Sequence, residues 1–198
     1  SGRHNRGGGE DQERWAELRE GARNKAGNRD VDTGAMAHFV DTIGRVLGDE
    51  RLAHQFFVEG GALAVEKAIK VAFDWKSRWN ESHGRDASLG TKVLHLRDAF
   101  HGRSGYTLSL TNTDPVKVDR FPTFDWPRVS SPYVVLGADM EAREAATLAE
   151  ARAAFQAHPH DIACFLMEPI QGEGGDHHVR PPFLQAMPAL CREVGGLV

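Results

Sequence analysis

Apolar residues along this chain recur at two spacings, and the change from one to the other marks out its elements. At helical spacing, Trp15, Leu18 and Ala22 form one stripe of a segment from Glu10 to Asn24, which Asn28-Arg29-Asp30 interrupts. Met36, Phe39, Val40, Ile43, Val46 and Leu47 predict a second helix from Thr33 to Leu47, closed by Gly48-Asp49. A longer helix is predicted from Ala62 to Trp79. Its inner stripe is Ala62, Val65, Ile69, Ala72 and Phe73, and its outer side carries Glu66, Lys67, Lys70, Lys76 and Arg78. The Ala/Glu-rich stretch Met140–Ala157 and the stretch Phe183–Val194, opened by Pro181-Pro182, predict two more.

Between them lie short, continuous apolar runs that predict buried strands: Gln55-Phe56-Phe57-Val58, Lys92-Val93-Leu94-His95-Leu96 and Asp161–Met167. Gly195-Gly196-Leu197-Val198 has the form of a further strand beginning, and the chain opens on Ser1 rather than Met, so we expect a piece cut at both ends. Residues 111–137, with Pro115, Pro122, Pro127 and Pro132, predict a long irregular excursion. Continuous rather than alternating apolar strands, joined by helices, imply an α/β fold with a mostly parallel sheet flanked by helices. We divide the chain into an N-terminal segment and helix, residues 1–32, and an incomplete sheet domain, residues 33–198.

Composition narrows the function. With 40% hydrophobic and 26% charged residues the balance is that of a globular domain, and a formal net charge of −4 gives no electrostatic case for nucleic acid or an anionic membrane surface. No run reaches the ~18 apolar residues of a membrane span. Cys164 sits in an apolar strand and Cys191 in a helix, and neither forms a CxxC pair. That favours a reducing, cytoplasmic setting. His158, His160, His177 and His178 lack metal-ligand spacing and suit a surface, so no metal is expected.

Ligands of open α/β sheets bind beyond the carboxyl ends of the strands, and three loops fall there. Glu59-Gly60-Gly61-Ala62 opens the long helix, where bare backbone and free N–H groups would admit a phosphate, although on spacing alone a tight turn needing glycine is the better account. Ala99-Phe100-His101-Gly102-Arg103-Ser104-Gly105 places an aromatic ring near a guanidinium, a pairing suited to a flat anion, although core packing for Phe100 and a solvated charge for Arg103 are the alternatives. Glu168-Pro169-Ile170-Gln171-Gly172-Glu173-Gly174-Gly175 carries one acid where a buried strand emerges and another in a glycine frame that would let it move, unless Glu173 is an ordinary exposed acid.

Together these segments resemble the class III, fold-type I pyridoxal-phosphate (PLP) aminotransferases. Phe73-Asp74-Trp75-Lys76, Phe124-Asp125-Trp126-Pro127-Arg128 and the turn Phe57-Val58-Glu59-Gly60-Gly61-Ala62 bring the chain nearer to the lysine 6-aminotransferases than to the enzymes of ornithine, acetylornithine or 4-aminobutyrate. The resemblance runs from about Glu10 to Val198. It implies that Gly61 and Ala62 hold the PLP phosphate, that Phe100 stacks on its ring and that Glu168 supports the cofactor network. Arg103 would bind the substrate α-carboxylate, and Glu173 would be an acid that turns aside between substrates.

The implied reaction moves the 6-amino group of L-lysine to 2-oxoglutarate in a homodimer. The resemblance also places the cofactor-bearing lysine beyond Val198, so no catalytic residue is expected among these 198 residues, and the chain alone is expected to be inactive and poorly soluble. A non-catalytic protein keeping the fold, another ω-aminotransferase and an unrelated phosphate-binding domain are the alternatives.

Overall fold

The computed structural model describes Trp15, Ala16, Arg19 and residues 34–198, which fall into two compact units, Ser1–Val58 and Glu59–Val198. The helix expected from Glu10 to Asn24 lies outside the described residues except at Trp15, Ala16 and Arg19, all helical. In the first unit, α1 (Gly34–Leu47) forms as its spacing predicts, but none of its residues is buried. Phe39 meets Phe57 edge to face at 5.2 Å. A single 3-10 turn, Glu50–Leu52, follows, capped by Asp49, whose carboxylate accepts from the Arg51 N–H at 2.9 Å.

Here one expectation fails. Gln55-Phe56-Phe57-Val58 is neither strand nor buried; Phe56 is 59% exposed. An aromatic run becomes strand only by pairing its backbone, and no described ladder includes this one.

In the second unit, α2 (Gly61–Ser82), β1 (Lys92–Leu96), α3 (Gly105–Leu110), β2 (Arg128–Val129), α4 (Met140–Ala157), β3 (Ile162–Leu166), β4 (Ile170–Gln171), β5 (His177–His178) and α5 (Pro181–Glu193) follow in order. Strands β2, β1 and β3 lie side by side and parallel, with His95 opposite Arg128 on one side and Leu166 on the other. Leu197 adds a parallel bridge to Cys164, its N–H donating to the Ala163 carbonyl at 3.0 Å, so the final apolar pair extends the sheet as its composition suggests. β4 and β5 form a separate antiparallel ladder in which Gln171 faces His177. Arg128–Val129 corrects the expectation that residues 111–137 are wholly irregular; two residues are too few to show a period.

Both faces of the sheet are covered because successive strand residues point opposite ways. Val93 packs with Ile69 and Ala72 of α2, and Leu94 and Leu96 with Phe155 of α4 and Phe183, Met187 and Leu190 of α5. Cys164 and Cys191 are both buried, and burial pushes each thiol up to about 12, so they behave as small apolar residues.

The outer side assigned to α2 also needs correction. Lys76 is only 1% exposed. Its ammonium donates to the Val194 and Gly195 carbonyls at 3.1 and 2.6 Å, closing the end of α5. Burial, with Arg85 nearby, pulls its pKa down to about 8. His158 and His177 are half-buried rather than free on the surface, and His177 stacks on Tyr133 at 3.7 Å. Among the described residues no helix is long and apolar enough to cross a membrane.

Candidate active site

The carboxyl ends of β1 and β3 lead directly into two of the loops singled out in the sequence, and α2 begins on the third. Their backbones interlock. Gly102 adopts φ 122°, and a Cβ there would stand 2.6 Å from the Ala62 Cβ, so the loop after β1 lies directly against the first turn of α2. Gly174 is pressed on the other side: a Cβ would fall 2.2 Å from the Asp98 carbonyl oxygen. Any larger residue at either position would part the loops.

Polar side chains fix this arrangement to the backbone. The Thr111 hydroxyl donates to the Gly102 carbonyl at 2.6 Å and accepts from the His101 N–H at 3.1 Å. Asn112 accepts from the Asp98 N–H at 2.6 Å and donates to the Leu96 carbonyl at 3.2 Å. Gln171 donates to the Arg97 carbonyl at 2.7 Å, and its own oxygen takes the Ser131 hydroxyl at 2.6 Å. Glu66 of α2 accepts from the Ser104 hydroxyl at 2.9 Å. Sequence reasoning missed these residues, and it set Glu66 on the solvent side of its helix. Their partners are 9 to 74 positions away, beyond the reach of any local pattern.

On this frame stand the residues the sequence singled out. Gly60 opens α2 at φ 86° with no side-chain cap. A Cβ at Gly60 or Gly61 would meet nothing within 4 Å, so the helix presents its first N–H groups to open space. Phe100 is half-buried, and its N–H donates to Glu168 Oε2 at 2.9 Å. Burial raises the Glu168 carboxyl above its ordinary range, against the lowering effect of the Phe100 and Gly172 N–H groups, and the nearby charge of Glu173 adds to the rise.

Glu173 is ion-paired with Lys117, a residue outside the three loops, and the Lys117 ammonium lies 5.6 Å from the centre of the Phe100 ring. Gly61, Ala62, Phe100, Glu168 and Glu173 therefore share one rim. Arg103 is on the same loop but exposed, and no hydrogen bond or ion pair ties it to the others. Beneath the rim, His95 and His101 are buried, held neutral by burial that takes their pKa values down to about 3 and about 4. Arg128 Nε approaches His95 Nε2 at 3.1 Å.

Chemically, this rim offers an uncapped helix start for an anion, an aromatic face for a planar group and two carboxylates beside them. Residues 29–198 match the aminotransferase class-III family, and the chain belongs to it. Class III aminotransferases use PLP, and the donors and face just described suit a flat phosphorylated ring. More particularly, the chain is 62% identical over 192 residues to the L-lysine-epsilon aminotransferase of Mycobacterium tuberculosis, which covers 96% of this chain and 43% of that protein. It is 53% identical over 183 residues to the enzyme of the same name from Streptomyces clavuligerus, covering 89% of this chain and 40% of that one. A solved structure of lysine aminotransferase from M. tuberculosis superposes with a TM-score of 0.90 at 63% identity, over 94% of this chain and 44% of the other. The chain thus spans less than half the length of these relatives.

Proposed function

We propose that the complete protein carrying this chain is an L-lysine 6-transaminase, moving the 6-amino group of L-lysine to 2-oxoglutarate to give 2-aminoadipate 6-semialdehyde and glutamate. The observation that carries the proposal is 62% identity, over nearly the whole chain, to a protein named L-lysine-epsilon aminotransferase. PLP, when bound, supplies the electron sink that labilises the proton on the amine-bearing carbon.

This chain's residues bind and orient. Gly61 and Ala62 offer their N–H groups to the phosphate at the open start of α2, where the helix dipole favours an anion. Phe100 would offer its face to the ring, and Glu168 holds Phe100 through its N–H. Arg103, exposed and unpaired among the described residues, takes the substrate α-carboxylate. Glu173, in its glycine frame and about two-fifths exposed, shifts between partners as the substrate changes. We further propose a homodimer in the cytoplasm, with substrates but no nucleic acid or membrane as partners.

The test supplies the complete protein with PLP, 2-oxoglutarate and, in turn, lysine, ornithine and 4-aminobutyrate, and measures glutamate. Glutamate formed fastest from lysine is expected. Equal rates from ornithine or 4-aminobutyrate would move the assignment to another ω-aminotransferase, and no glutamate from any donor would leave the chain in a non-catalytic member of the family. Light scattering on the same sample reads the dimer.

A further inference from the structure

Lys117 belongs to none of the loops that the sequence singled out, yet it sits at their centre. The 3-10 turn that carries it, Pro115–Lys117, is firmly built. Asp114 caps it by accepting from the Val116 N–H at 3.1 Å, and Pro115 occupies its first position. The Lys117 N–H returns to the Asp114 carbonyl at 3.1 Å, and the Asp119 N–H to that of Pro115 at 2.9 Å. From this turn the side chain crosses to the rim, where its ammonium donates to the Thr113 hydroxyl at 3.1 Å, pairs with Glu173 and lies over the Phe100 ring. It is the more enclosed of the two charges, 22% exposed against 43% for Glu173. A lysine free to dissolve its ammonium would not be held by three separate groups.

Resting on the transaminase reading above, we propose that Lys117 is a specificity-determining positioning residue: it neutralises and holds Glu173, so that a dicarboxylate acceptor can enter a rim that would otherwise repel it.

The argument is electrostatic. Glu168 and Glu173 stand close enough for the charge of one to act on the other. Without Lys117 the rim would present both carboxylates to an incoming dianion, with repulsion to match. An amine donor with a cationic chain meets no such repulsion, so the effect of Lys117 is selective for the acceptor. A lysine serving only as a strap between two loops would affect both substrates alike.

Glutarate, an unreactive dicarboxylate of the acceptor's length, reads the effect without turnover. Its affinity for the complete PLP-loaded protein is measured by calorimetry, alongside the KM for lysine. Lys117→Met is expected to weaken glutarate about tenfold while the lysine KM stays within about twofold. Lys117→Arg should restore glutarate binding, and so should Lys117→Met combined with Glu173→Gln, which removes the charge left unpaired. Thermal melts identify any variant that does not fold, and Lys117→Gln, which keeps the reach to Thr113, then replaces Lys117→Met. Unchanged glutarate affinity, a lysine KM rising in step with it, or no recovery in the double variant would overturn the proposal. A wild-type protein that forms no glutamate from lysine sinks the transaminase reading instead, and the two failures are read in separate assays.

Discussion

The two rims of the parallel sheet are furnished with similar side chains that do different things. At the amino rim, Lys76 donates to the Val194 and Gly195 carbonyls, and Asn80 to those of Leu89 and His160. Asp161 accepts from the Gly90 and Thr91 N–H groups at 2.9 and 3.0 Å. Each of these groups is tied to backbone. At the carboxyl rim, α2 starts uncapped, Glu173 is paired with a side chain, and Arg103 has no bonded partner among the described residues. A group bonded to backbone can be recruited by a ligand only by breaking the fold, whereas one paired to a side chain, or to none, is available. Residue type does not separate structural from functional charge here; for all but Glu168, which accepts from the Phe100 N–H, the nature of the partner does.

The largest test of that contrast is acid. His95 and His101 lie in β1 and the loop after it, buried and neutral, with folded pKa values of about 3 and about 4 against an ordinary 6.5. The unfolded chain takes up these protons first. The stability they contribute is therefore fully present above about pH 6.5 and is lost as pH falls toward 4. Two such groups remove roughly 3–4 kcal/mol between pH 7 and pH 5. Denaturant unfolding of the complete protein at pH 7, 6 and 5 should show this slope, and His101→Phe should remove about half of it. A flat profile would mean that both imidazoles protonate in place. Glu168, with its raised carboxyl, works in the opposite direction, so the slope is read as a difference between the variant and the wild type.

Next in size is a change at the amino rim. Gly195 adopts φ 66°, and a Cβ there would stand 2.3 Å from the Trp79 ring. Gly195→Ala should lower stability by about 2–3 kcal/mol, from the left-handed backbone and the overlap together. If the rims are separate in function, PLP affinity of the variant that still folds should be unchanged, which cofactor titration by absorbance would check. A large loss of affinity would show that the amino rim also shapes the site.

How far the sequence foretold this division can be judged residue by residue. Lys92–Leu96 and Met140–Ala157 match their predicted bounds because one is an unbroken apolar run between polar turns and the other an unbroken run of strong helix formers. The convergence of Phe100 and Glu168 followed from the parallel order of β1 and β3, since loops after parallel strands meet at one edge, whereas Gly61 was expected there on the strength of a strand over residues 55–58 that does not form. Lys76 and Glu66 were misplaced on an outer face. A helical period says which side a residue occupies, and it is blind to a long side chain bending to reach a carbonyl 118 positions away. Lys117 was invisible for the same reason, since its partner Glu173 is 56 positions on. The run Phe56-Phe57 failed differently: composition supplied strand formers, but no described ladder includes them.

The smallest expected effect separates the rims most finely, because it uses one change of chemistry at each. Glu168 and Asp161 both follow or precede a strand and both accept from backbone N–H groups. Their carboxyls nevertheless shift oppositely. At Glu168 burial dominates and raises it. At Asp161 burial also pushes upward, but the Thr91 and Gly90 N–H groups and Lys92 outweigh it, and the net shift is down. The fold thus favours the ionised acid at the amino rim and tolerates it at the carboxyl rim. Asp161→Asn should cost about 1 kcal/mol, whereas Glu168→Gln should change stability by less than about 0.5 kcal/mol, because an amide oxygen still accepts from Phe100 and no buried charge remains. Unfolding midpoints at pH 7 compare the two. Equal losses would mean that Glu168 is as structural as Asp161, and Glu173 would then be the acid that the carboxyl rim lends to a ligand.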